Sequence, residues 1–204
     1  MNLNRDPLNI IITGVGGQGN VLVSQIIAQM MLDKGLKVTI GETLGLSQRG
    51  GSVMSHLRIS ETRRFSPQIP EGGAHLILTL EPVEGLRVLG TYGNPETLMV
   101  ANTKPIYPIA VLAGEVEYPD LETITGKVKE LIAGVWTLDA TGIGLDMGAA
   151  ILANIALLGA TIGLSLLDCD RQGFEKVIRE IMPESKAELN LKAFDRGAGE
   201  VAAA

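Results

Sequence analysis

A single cysteine, Cys169, and two histidines, His56 and His75, set the first limits on this chain. One thiol makes no intramolecular disulfide, and a zinc cage or a cubane iron–sulfur site needs several ligands. Aromatic residues are scarce at 3%, which argues against an aromatic-rich β-sandwich. Positive charge is in deficit, with 17 Lys and Arg against 23 Asp and Glu and a net charge of -6. A nucleic-acid binder normally has the opposite balance, so neither DNA nor RNA is expected as a main partner. The patterns H-E-x-x-H, G-x-S-x-G and G-x-x-x-x-G-K-[ST] do not occur. Asp6 and Pro7 interrupt the N-terminus before any long apolar run, so no signal peptide is read and the cytoplasm is the expected address.

What the chain has is glycine, at 25 of 204 residues, and an apolar fraction of 46%. That composition excludes global disorder and suits a compact α/β protein with tight turns. No internal repeat or linker is visible. The expected fold is a single α/β domain over 1–204, core about 8–194, with a Rossmann-like, mostly parallel sheet flanked by helices.

The N-terminal third carries the strongest local signals. Leu8–Thr13 is a continuous apolar run, as in a parallel strand buried on both faces. Gly14-Val15-Gly16-Gly17-Gln18-Gly19 follows, then a helix over Asn20–Lys34 stopped by Gly35 in the left-handed position. Lys37–Gly41 reads as the second strand of a right-handed βαβ unit. Glu42–Gly51 reads as a loop. Further strands are expected over Ser52–Ile59, Ala74–Leu80, Leu98–Asn102 and Val135–Asp139. Helices are expected over Glu81–Leu89, Leu121–Ile132 and Phe174–Ile181, the last followed by a polar tail.

Met147–Leu167 holds 21 residues without a charge, long enough to span a bilayer. Its small residues, including Gly159 and Gly163 at G-x-x-x-G spacing, favour instead a long buried helix over Asp146–Ser165, and no membrane partner is expected. Such a helix needs cover on every side, which a partner subunit is expected to supply.

Two clusters carry candidate chemistry. Gly14, Gly16 and Gly19 satisfy G-x-G-x-x-G between a strand and a helix, where bare amides can face an anion on the helix N-terminus. Gly17 adds a glycine, and Gln18 is expected where the turn meets solvent. Glu42 lies 23 residues beyond Gly19, where a ribose-binding acid sits in dinucleotide sites. The plainer reading is that the glycines only permit a tight turn. Ser47-Gln48-Arg49 opens the second cluster, in which a guanidinium between small residues can reach a carboxylate or phosphate bidentately. The plainer reading is a solvated arginine. His56 and His75 are expected to be structural. Cys169, between Asp168 and Asp170, is expected to be inert.

Five motifs in order resemble a known family: G-V-G-G-Q-G at Gly14–Gly19, S-Q-R-G-G-S-V at Ser47–Val53, I-P-E-G at Ile69–Gly72, L-E-P-V-E at Leu80–Glu84 and N-L-K-A-F at Asn190–Phe194. The series is similar to the gamma-type domain of 2-oxoacid:ferredoxin oxidoreductases, most of all the small subunit of indolepyruvate oxidoreductases, from about Asn9 to Phe194. One departure is Asp146-Met147-Gly148, where a Gly-Asn-Pro-like turn is more usual. The resemblance implies an enzyme that decarboxylates a 2-oxo acid on thiamine diphosphate, passes electrons singly through [4Fe–4S] clusters and releases an acyl-CoA. Thiamine diphosphate, its Mg and the clusters are then expected in partner subunits, since this chain has no G-D-G…N thiamine motif and one cysteine. Ferredoxin or a similar acceptor would be met through the partner, and no cofactor is expected on this chain alone. What is left to it is completing the assembly and helping to admit CoA as cosubstrate, with Gly14, Gly16, Gly17, Gln18 and Gly19 as cradle and Ser47, Gln48 and Arg49 beside it. No catalytic residue is expected here. Two rivals are a free-standing Rossmann-type nicotinamide-binding oxidoreductase, for which no Tyr-x-x-x-Lys proton donor is evident, and a membrane-associated scaffold.

Overall fold

The computed structural model describes residue 3 and residues 5–45 and 51–202. Six strands form one sheet in the order β2-β3-β1-β4-β5-β6. They are β1 Leu8–Val15, β2 Lys37–Leu44, β3 Ser52–Ser60, β4 Leu76–Thr79, β5 Leu98–Asn102 and β6 Gly134–Leu138. The helices are α1 Asn20–Asp33, α2 Pro82–Tyr92, α3 Ile109–Leu112, α4 Leu121–Leu131, α5 Ala140–Asp146, α6 Ala153–Gly163, α7 Arg171–Ile181 and α8 Glu184–Ala202. Strands β1, β4, β5 and β6 pair in parallel, whereas β3 is antiparallel to both β1 and β2. The mostly parallel sheet flanked by helices is therefore present.

Alternate residues of β1 build the two faces of the core. Ile10 and Ile12 join Leu57, Ile59, Leu76 and Leu78 under α1, α6, α7 and α8. Ile11 joins Ile77, Met99 and Ala101 under α2 and α4. Local capping fixes several helix starts: Glu81, Asp120, Asp139 and Asp170 each accept a bond from the backbone N–H three residues on. Gly35, at φ 82, ends α1 as expected.

The expected β1-α1-β2 crossover is present between two parallel strands, with β3 inserted between them and antiparallel to both. Two expectations fail. The uncharged stretch is not one helix: α5 ends at Asp146, Gly148 turns the chain at φ 87, and Ala150–Leu152 forms a 3-10 turn before α6. The polar tail is in fact the 19-residue helix α8.

Helix α8 also supplies the cover for which a partner was expected. Every residue from Ala153 to Ile162 is buried. A Cβ on Gly159 would run into the Phe194 backbone, at 2.8 Å from its C and 2.9 Å from its Cα. One on Gly197 would press on the Ala156 backbone in return, 2.6 Å from its C. The glycine spacing thus sets a close crossing within the chain. No helix among the described residues is long and apolar enough to cross a membrane.

Candidate functional site

Strand β1 sends its chain through α1 on one face, while β4 sends its chain through α2 on the other. Neighbouring parallel strands that part company in this way leave a crevice beyond their carboxyl ends, where α/β proteins place ligands. The glycine loop forms one wall of that crevice.

Gln18 lines the crevice half-buried, and its amide is engaged by the backbone. Its Oε1 accepts from Val15 N–H at 2.8 Å and its Nε2 donates to Leu80 O at 2.8 Å, so the amide joins the ends of β1 and β4. This explains two of the glycines. A Cβ on Gly14 would lie 2.5 Å from Gln18 Oε1, and Gly19, at φ 84, packs against the Asn154 amide of α6. Gly17 has φ 99 with open space around it. Gly16 N–H donates to Gly51 O at 2.9 Å, and Gln18 N–H to Val15 O at 3.2 Å. Both amides are thus committed inside the protein, leaving fewer donors for an anion than the sequence pattern implies.

Above the loop is a cavity of about 290 Å³ lined by Gly16, Gly17, Gln18, Leu80, Lys104, Pro105, Ile106, Thr141, Ala150, Ile151 and Ala153. Its wall is mostly apolar, with the Lys104 ammonium 3.3 Å from Asp139 Oδ2 at the rim. Asn102 ties the base together: its Nδ2 lies 3.0 Å from Leu80 O and 2.9 Å from Thr141 Oγ1, and its Oδ1 accepts from Thr141 N–H at 3.2 Å. An apolar trough with one cation and a few polar groups suits a ligand with an extended stem and an anionic end. Lys104 and Ile106, from the β5–α3 connection, were not singled out from the sequence, where only the proline-rich run beginning at Lys104 hinted at irregular backbone. Thr141, in the first turn of α5, and Ile151, in the 3-10 turn before α6, lie in the Asp139–Leu158 stretch whose D-A-T start resembles the family. Neither was assigned a place in the site from the sequence.

Ser47, Gln48 and Arg49 lie outside the described residues. Their flanks are placed: Gly45 N–H donates to Ser52 O at 2.8 Å, and Gly51 O receives the Gly16 amide. The β1–β3 register, Val15 opposite Ser52, brings the edge of the second cluster to the glycine loop.

Glu42 does not serve as a ribose acid. It sits opposite Ser55 on the edge strand, two strand spacings from β1, or roughly 10 Å. Its carboxylate lies 3.1 Å from Ser24 Oγ and 2.5 Å from Ser55 Oγ. The dinucleotide reading thereby loses its acid. His56 and His75 accept backbone N–H bonds on Nδ1, from Ile69 and Asn9 respectively, and burial holds both below the usual histidine range. Burial pushes the Cys169 thiol up to about 11, with Lys34 opposing and Asp168 and Asp170 adding to the rise. That thiol is a poor nucleophile and a poor ligand.

The sequence profile for pyruvate ferredoxin/flavodoxin oxidoreductases matches residues 9–200. The chain belongs to that family. It is 40% identical over 190 residues to the indolepyruvate oxidoreductase subunit IorB of Archaeoglobus fulgidus, covering 93% of each chain. A keto/oxoacid ferredoxin oxidoreductase gamma subunit from Geobacter sulfurreducens shares the fold with TM-score 0.68 at 23% identity, over 98% of this chain and 100% of that one. The 2-oxoglutarate:ferredoxin oxidoreductase of Magnetococcus marinus, with 2-oxoglutarate, coenzyme A and succinyl-CoA bound, matches at TM-score 0.76 and 19% identity. That match covers 98% of this chain but 32% of the longer one. With its IorB relatives, the chain falls among the small subunits of the 2-oxoacid oxidoreductases.

In this family member the ordered motifs are mostly scaffold. Ile69 is fully buried and Gly72 turns at φ 66. Glu81 caps α2 through Oε2 and holds the Tyr118 hydroxyl through Oε1, while Leu80 presents its carbonyl to Gln18 and Asn102. Asn190, Leu191, Ala193 and Phe194 are buried in α8. The Asp146-Met147-Gly148 departure still makes a turn, through the positive φ of Gly148. Among the described residues of these motifs, the glycine loop and Leu80 line the cavity.

Proposed function

We propose that this chain is the small, non-catalytic subunit of a cytoplasmic thiamine- and iron–sulfur-dependent oxidoreductase that turns an aryl 2-oxo acid such as indolepyruvate into an acyl-CoA. The observation that carries the reading is the 40% identity, across 93% of both chains, to an indolepyruvate oxidoreductase subunit. Residues of this chain do not fit the cofactors themselves. Its one thiol is half-buried with its pKa pushed up to about 11, and among the described residues no three His, Cys, Asp or Glu side chains converge as metal ligands. The companion subunit accordingly carries thiamine diphosphate, its Mg and the clusters, and passes electrons to ferredoxin or a similar acceptor.

The part left to this chain is positional. The crevice beyond β1, β4 and β5 offers an apolar trough for the stem of CoA, with the Gly17 backbone and the Lys104 ammonium for its anionic groups, and the sequence offers Arg49 as a further cation. The Lys104–Asp139 pair is about half exposed, so breaking it costs little stability. Lys104→Ala and Arg49→Ala are thus tests of binding. In the assembled enzyme each should raise the KM for CoA at least tenfold, about the value of one charge-assisted contact of 1.5–3 kcal/mol. The KM for the 2-oxo acid should stay unchanged. Unaltered CoA kinetics in both variants would remove CoA admission from this crevice.

A further inference from the structure

The connection from β5 to α4 is unusual for its surface. Ile109 is 85% exposed and Leu112 73%, and Ile106, Tyr107, Val116 and Leu121 also lie uncovered. Together these six side chains present on the order of 600 Å² of apolar surface, against the ~800 Å² each partner gives to a standard interface and at the upper end of what a monomer leaves bare. Beside them is a second cavity of about 370 Å³, lined among others by Pro82, Tyr107, Tyr118, Pro119 and Leu121. Its aromatic wall is built in advance. Tyr107 and Tyr118 meet edge to face with centroids 5.1 Å apart. The Tyr118 hydroxyl is fixed 2.5 Å from Glu81 Oε1. An exposed apolar segment beside an aromatic-lined cavity is the arrangement that takes an anchoring side chain from another protein.

The charge around the patch selects the occupant. Glu115, Glu117, Asp120 and Glu122 are exposed along its edge, and no Lys or Arg occurs between Pro105 and Glu122. A second copy would bring the same acidic rim against this one, within a chain already at net charge -6, and an anionic membrane would be repelled likewise. The fitting partner is a different protein whose face is apolar at the centre and basic at the rim. Position narrows this further. The segment begins at Lys104, Pro105 and Ile106, which line the first cavity, so a protein seated on it would also stand over the crevice beyond β1, β4 and β5.

We propose that residues 105–122 and the Tyr107–Tyr118 socket are the docking surface for the companion subunit bearing the thiamine and cluster sites, which closes the crevice as it docks. This rests on the function proposed above. Its test is co-expression with an affinity-tagged companion chain. The variants are Ile109→Glu with Leu112→Glu on the patch, Glu115→Lys with Glu117→Lys on the rim, and Leu131→Glu as an exposed apolar control elsewhere. Ile109 and Leu112 make no buried core, so the isolated patch variant should keep its thermal unfolding. We expect it to bind the companion at least tenfold more weakly, with the control unchanged. The rim variant should bind more slowly at low salt, a deficit that fades near 0.5 M salt. Full binding by both the patch and rim variants overturns the surface while leaving the proposed function standing. If the wild-type chain fails to bind the companion at all, the proposed function falls and this inference with it. A dimer of the isolated chain that dissociates in the patch variant would assign the surface to a second copy and overturn the proposal.

Discussion

Replacing Gly159 with alanine should drive α6 and α8 apart. The added Cβ would have no side chain to displace, because what it meets is backbone: the Phe194 carbonyl group and, at 2.9 Å, its Cα. Backbone in a 19-residue helix does not yield locally, so the helices must separate or slide. Separation loosens the stacked Phe174–Phe194 rings, now 4.4 Å between centroids, and the buried Leu191 and Ala193. Overpacking of this kind costs about 1–3 kcal/mol, and the rigidity of the obstacle argues for the upper half of that range. For a chain of this length that is a fall in Tm of roughly 4–10 °C. Gly197→Ala, which strikes the Ala156 backbone, should cost a similar amount. Because both push the same two helices apart, the double variant should cost clearly less than the two singles combined. Differential scanning calorimetry of the isolated chain reads all three. An unchanged Tm for Gly159→Ala, or strict additivity in the double variant, would refute the close crossing of α6 and α8.

Gly126 sits in α4 with open space around it, so Gly126→Ala should stabilise by about 0.5–1 kcal/mol, read as a higher denaturation midpoint in urea; a lower midpoint would contradict the exposed helical placement. With its thiol near 11, Cys169 should react with iodoacetamide at neutral pH far more slowly than free cysteine, and reaction at the free rate would contradict its burial. His56 and His75 both titrate lower in the folded chain than in the unfolded one, so the unfolded chain takes up protons first as pH falls through about 6.5. Their contribution is full above that value and declines below it; Tm should drop from pH 7.5 to 5.5, and a flat profile would count against it.

Much of the first half of the fold was legible because its signals are local. The Leu8–Thr13 run, the Gly35 stop and the Pro82 helix start each state a backbone preference in a few residues, and β5 begins and ends where its apolar run does. The misreadings share a different cause. Helix α8 reads as polar because its average residue is polar, yet Asn190, Leu191, Ala193, Phe194 and Gly197 make one close-packed stripe visible only against α6. The uncharged stretch reads as one helix until Gly148 takes a positive φ. Gln18, expected at the solvent side of a turn, is half-buried at the crevice and bonded to Val15 and to Leu80, which lies 62 residues away.

The sequence alone determined the class of the protein: an α/β chain with a strand–glycine loop–helix start, too poor in thiols to hold a cluster, and with five ordered motifs of one oxidoreductase family. Hydrophobic runs, caps and ligand counts are written residue by residue and need no partner in space. Tertiary structure decided that β3 enters between β1 and β2, which takes Glu42 away from the glycine loop. It also decided that α8, not another subunit, covers α6. The crevice was likewise decided there, since Gly17, Leu80, Lys104, Thr141 and Ile151 are distant in the chain and meet only because parallel strands end side by side. Strand order and helix contact are pairings between remote residues, and they are settled by which apolar faces can be buried together, a quantity no short stretch of sequence contains.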